Sequence, residues 1–123
     1  MASIIVTSGN SAGSYYPLGQ RTNVIGRDEG VLIQLVDEHV SRKHLQIRYD
    51  KEKKQYIALD MNSRHGVFIN GNRIHTEVPL ADNDRIDLGN VALLFTESDF
   101  ADRASALAHH RRIGERAKGT LLE

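Results

Sequence analysis

Apolar residues in the first three quarters of the chain come in short runs separated by turn signals. Leu45, Ile47 and Tyr49 alternate with Gln46 and Arg48, the period of two expected of a strand with one buried and one wet face. Gln55–Leu59 (QYIAL) pairs naturally with that run across the charged turn Asp50-Lys51-Glu52-Lys53-Lys54. Upstream, Ser3–Thr7, Ser14–Leu18, Thr22–Ile25 and Leu32–Leu35 read as further strands, the first two separated by the turn cluster Gly9-Asn10-Ser11-Ala12-Gly13. Val67-Phe68-Ile69, Asn70-Gly71 and Asn72-Arg73-Ile74 form the strongest local hairpin signal, because Asn-Gly supplies the positive φ angles of a tight two-residue turn. Arg85–Leu88, Gly89-Asn90 and Val91–Thr96 repeat the logic. Many short strands at this spacing predict an antiparallel sandwich or barrel. The two prolines, Pro17 and Pro79, are expected at strand ends or edges, where a missing N–H costs nothing.

The pattern changes at Ser98. Residues 98–123 are rich in alanine and contain no strand-like run. Phe100, Ala104, Leu107 and Ala108 share one helical face, Ser98 or Asp99 can cap it, and Asp99 and Asp102 sit where the helix dipole favours acids. Gly114 weakens this helix and Gly119 ends it. The predicted organisation is a β domain over residues 1–97 and a helical extension over 98–123. The apolar face is thin, so the helix is expected to pack on the β domain, with a partner contact as the alternative.

Composition narrows the function classes. A chain of 123 residues, 40% hydrophobic and 26% charged, suits one globular domain. No apolar run approaches the ~18 residues of a spanning helix, and the opening Met1-Ala2-Ser3-Ile4-Ile5-Val6 lacks the features of a secretory signal. Absence of cysteine excludes disulfides, thiolate chemistry and cysteine-ligated zinc, and is compatible with the cytoplasm. Sixteen basic and sixteen acidic residues balance, which argues against a general nucleic-acid or membrane surface but leaves room for a local basic site. The six histidines (His39, His44, His65, His75, His109, His110) do not fall at metal-ligand spacings, so no metal and no cofactor is expected.

Three loops carry the chemistry. They are Gly26-Arg27-Asp28-Glu29-Gly30, Val40-Ser41-Arg42-Lys43-His44, and Asp60-Met61-Asn62-Ser63-Arg64-His65-Gly66, each at a predicted strand boundary. Together they hold several cations, two serines and two histidines. A phosphate dianion needs that combination: its oxygens accept several hydrogen bonds, and those from charged donors are worth roughly 1.5–3 kcal/mol each.

The series Gly26-Arg27, Ser41-x-x-His44, Ser63-x-x-Gly66 and Asn70-Gly71 resembles the forkhead-associated (FHA) domain over about residues 3–97. The resemblance implies an all-β fold, an antiparallel β-sandwich of about eleven strands, whose apical loops bind phosphothreonine peptides. It implies that Arg27 contacts the phosphate, that Ser41 hydrogen-bonds a phosphate oxygen, and that Arg42 and Arg64 assist. It places His65 on the peptide main chain and assigns Gly26, His44 and Gly66 to shaping the loops. Asn70-Gly71 receives no ligand role. Where the family commonly has Asn-Gly-Thr, this chain has His65-Gly66-Val67. Imidazole offers one donor and one acceptor in a geometry unlike a carboxamide's. The phosphate end of the site is therefore expected intact and the peptide-clamping end altered.

The expected function is a non-catalytic module that binds a phosphothreonine-containing protein, with a preference for threonine over serine. A serine/threonine kinase then acts in the same cytoplasmic compartment. Two alternatives come from other classes. One is an FHA-fold scaffold or oligomerisation domain with weak or no phosphate dependence, forming a weak homodimer through the C-terminal helix. The other is a hydrolase built on Ser41 and His44, which lacks a third orienting carboxylate and a nucleophile elbow.

Overall fold

In this computed structural model, residues 2–97 are described. The eleven strands are β1 (Ser3–Val6), β2 (Tyr15–Pro17), β3 (Thr22–Gly26), β4 (Ile33–Gln34), β5 (Leu45–Asp50), β6 (Gln55–Asp60), β7 (Val67–Ile69), β8 (Asn72–Arg73), β9 (Val78–Pro79), β10 (Arg85–Leu88) and β11 (Val91–Thr96). They form two sheets: β2-β1-β11-β10-β7-β8, and β4-β3-β5-β6-β9. The chain is thus the expected β-sandwich. The proposed helix over 98–123 lies outside the described residues.

Alternation decides which side chains enter the core. In β5, Leu45 and Ile47 are fully buried while Gln46 and Arg48 are half-buried. From the other sheet, Ile4, Val6, Ile86, Leu88, Leu93 and Phe95 meet them in one cluster. Asn70 and Gly71 both take positive φ (51° and 86°), as the tight β7–β8 turn requires. Asn70 also ties that turn to β10. Its amide Nδ2 donates to Asp84 Oδ1 at 2.8 Å, and its Oδ1 accepts the Arg85 N–H at 3.0 Å.

The structure differs from the sequence reading in three places. Only Ile33–Gln34 of the Leu32–Leu35 run is a strand, and it pairs with β3 in parallel, the one parallel pairing recorded between described strands. Ile74 falls outside β8, although its N–H still donates to the Val67 carbonyl. Val78–Pro79 forms an unanticipated strand on β6. Pro17 ends β2 and Pro79 ends β9, and both strands are sheet edges.

Candidate phosphate-binding site

The three signal-bearing loops meet at one end of the sandwich because β3, β5, β6 and β7 start or finish there. Arg27 follows the last residue of β3, Ser41 lies four residues before β5, and residues 61–66 connect β6 to β7. The first two loops are zipped together by backbone hydrogen bonds. The Arg27 N–H donates to the Ser41 carbonyl (3.0 Å) and the Asp28 N–H to the Arg42 carbonyl (3.2 Å). This approach requires Gly26: a Cβ there would stand 2.1 Å from the Arg42 carbonyl oxygen.

His44 joins all three segments. Its side chain is completely buried. Nδ1 accepts the Ser41 N–H at 3.0 Å, so the proton resides on Nε2, which donates to the Gly66 carbonyl at 2.8 Å. The His44 backbone adds bonds to Ile25 and Met61. Burial pushes the imidazole below its ordinary pKa of 6.5, against the Gly66 carbonyl and Asp60, which favour the cation. Both ring nitrogens face backbone, so none is left to take a proton from Ser41 Oγ, as a Ser41–His44 dyad would require. Ser63, to which sequence reasoning gave no role, braces the third loop: its Oγ accepts the Gly66 N–H (2.9 Å) and its own N–H donates to Asp60 Oδ1 (2.9 Å). Gly66 has φ of 82°, and an added Cβ would lie 2.7 Å from Arg73 Nε.

On this frame the polar tips converge. Arg27, Ser41, Arg64 and His65 line one concavity of about 110 Å³, together with Glu38, His39 and Val40. Arg27 Nε donates to the Val40 carbonyl at 3.0 Å, which fixes the guanidinium plane. Among the described residues its two Nη groups have no partner and remain available as a fork. Ser41 Oγ accepts the Arg64 N–H at 3.1 Å, which leaves the hydroxyl proton free to donate. The Arg64 backbone is thus already engaged while its side chain is exposed.

Arg42 sits elsewhere. It lines a separate concavity of about 260 Å³ with Arg27 and Asp28. Arg27 is common to both hollows and to a wider one of about 480 Å³ that includes Val36, Asp37 and Asn90. His39 is the residue that the sequence reading missed at this site. It carries no motif signal; its position two residues before Ser41 was the available clue. Among the described residues no group of three or more histidine, aspartate or glutamate side chains is placed to hold a metal ion.

These loops and sheets have counterparts in known proteins. A model of the FHA domain family matches residues 23–89. The FHA domain-containing protein FhaA of Mycobacterium tuberculosis is 34% identical over 92 residues, covering 75% of this chain and 17% of FhaA. An oxoglutarate dehydrogenase inhibitor of Corynebacterium jeikeium is 34% identical over 94 residues, covering 76% of this chain and 63% of that protein. The chain therefore spans less than two thirds of either relative. A solved structure from a study of phosphothreonine-dependent FHA domain interactions superposes with a TM-score of 0.71 at 30% identity, covering 80% of this chain and 98% of that one. With the family match running through all three loops, and a solved member superposing on the sandwich, the chain belongs to the FHA domain family.

Proposed function

We propose that the chain is a phosphopeptide-binding signalling module that recognises phosphothreonine in a partner protein. The observation that carries this reading is the convergence of Arg27, Ser41 and Arg64 on one concavity. The phosphothreonine-dependent interactions described for the solved relative support it. Arg27 supplies a preset fork to two phosphate oxygens, and the Ser41 hydroxyl donates to a third. Arg64 adds charge from the same rim. Arg42 assists from the neighbouring hollow, acting on the phosphate through its field or on the peptide beside it. His65 meets the peptide main chain in place of the family's usual asparagine. Gly26, His44 and Gly66 hold the loops and do not touch ligand. The module performs no catalysis. It works in the cytoplasm beside the serine/threonine kinase that supplies its ligand. Residues 1–97 form the binding domain.

An exposed polar site of this kind binds at about micromolar strength, roughly −8 kcal/mol. The test is a screen of a degenerate peptide library with one fixed phosphothreonine, followed by titration of the selected peptide and its unphosphorylated twin. Equal affinity for the two forms refutes phosphate recognition.

A further inference from the structure

His39 and His65 stand ring to ring in the concavity that holds Arg27 and Ser41. Their centroids are 5.2 Å apart and their planes tilted by 59°. They come from different loops, one before β5 and one before β7. Charged and titratable groups face the pair from several elements, among them the buried His44, whose ring feels the charge of His65. On its own loop, His39 Nδ1 lies 3.8 Å from Asp37 Oδ1 and 3.9 Å from Glu38 Oε1. Arg27, after β3, and Arg64, beside His65, bring two guanidinium groups to the same concavity. From the β10–β11 turn, the Asn90 amide lies 2.6 Å from His39 Nδ1. A carboxamide serves either protonation state: its NH₂ donates to a bare Nδ1, and turned over, its oxygen accepts from a protonated one.

We propose that His39 and His65 are paired imidazole contacts of the bound phosphate, His65 turning one ring nitrogen to it and the other to the peptide main chain, and that phosphopeptide binding is therefore coupled to proton uptake by this pair. The inference rests on the phosphate reading above. A dianion in the concavity cancels the repulsion from Arg27 and Arg64 and adds its own attraction, so the bound state holds more protons on the pair than the free state. By linkage, affinity then rises as pH falls. Imidazoles change charge near neutral pH. Toward pH ~6, where the phosphate itself is about half protonated, the ligand loses charge and the trend reverses.

The test is calorimetry of the full chain with the library-selected phosphothreonine peptide at pH 7.5, in buffers of different ionisation enthalpy, with affinities from pH 6.5 to 8.5. The expected wild-type result is uptake of about half a proton or more, with affinity about fivefold tighter at pH 6.5 than at pH 8.5. His39→Gln should lose a large part of that uptake, and His39→Gln with His65→Asn all of it, flattening the profile. Binding without proton uptake in the wild-type chain overturns the coupling and leaves the phosphate reading intact. Uptake unchanged by His39→Gln removes His39 from the pair. Failure to bind the phosphorylated peptide overturns the phosphate reading and the coupling with it.

Discussion

Polar groups around the concavity belong to two layers. The inner one, His44 with Ser63 and the backbone of Ser41 and Gly66, exchanges its hydrogen bonds within the protein. The rim, Arg27, Arg64 and His65, is exposed. The same residue type follows opposite rules in the two layers. His44 is buried, neutral and satisfied at both nitrogens, whereas His65 faces solvent among cations. Substitution of the inner layer should register first as stability, and substitution of the rim as affinity.

The largest effect is expected at His44. His44→Ala strands the Ser41 N–H and the Gly66 carbonyl, each costing about 1–3 kcal/mol when left unsatisfied, and opens a cavity between the loops. The expected loss is about 4 kcal/mol by urea denaturation. A loss under ~1 kcal/mol would show that the brace is dispensable. Gly26→Ala should follow at about 3 kcal/mol, because the new methyl meets backbone, which cannot rotate out of the way.

The contrast sharpens with pH. Folding depresses the His44 pKa below 6.5, so its contribution to stability is complete above that pH. The contribution is lost as pH falls through the depressed folded value, where the buried ring must charge. Thermal melts from pH 8 to 5 should show a decline below pH 6.5 that His44→Ala lacks; parallel curves would remove His44 as the cause. Acid thus weakens the frame only below pH 6.5, beneath the window in which the proposed His39–His65 coupling strengthens binding.

The two layers were not equally legible in the sequence. Strand alternation and the Asn-Gly turn are local signals, and β5, β6, β7, β10 and β11 were readable from them. β9 was not, since two residues ending in proline carry no periodicity and become a strand only by pairing with β6. The parallel β3–β4 contact is likewise a property of the assembled sheet. At the site, motif spacing located Arg27, Ser41, Arg64 and His65 but not which of them share a hollow. Arg42 follows Ser41 directly, yet lines a different concavity. His39 had only its nearness to Ser41 to mark it, because its partners, Asn90 and His65, are remote in sequence and arrive on separate loops.

On the rim, Arg27→Ala should cost about 2 kcal/mol of binding, roughly thirtyfold, by removing charged hydrogen bonds to the ligand. The side chain is exposed, so the urea midpoint should stay nearly unchanged. Retained affinity for the phosphorylated peptide would remove Arg27 from the site.

Arg64→Ala should have the smallest effect, and it tests whether one residue can belong to both layers. Its backbone N–H holds Ser41 Oγ at 3.1 Å, and alanine preserves that bond. Its side chain is exposed and contributes mainly through charge, so the expected cost is about 0.5–1 kcal/mol, two- to fivefold in affinity. Screening shortens to ~3 Å at 1 M salt, which should erase most of that difference while much of the Arg27→Ala deficit persists through its direct contacts. Arg64→Pro removes the N–H as well, and should weaken binding more than alanine does at every salt concentration. Titrating both variants at low and high salt separates the roles: equal losses would place the Arg64 contribution in its side chain alone, and an added, salt-independent loss for proline would place it also in the backbone that seats Ser41.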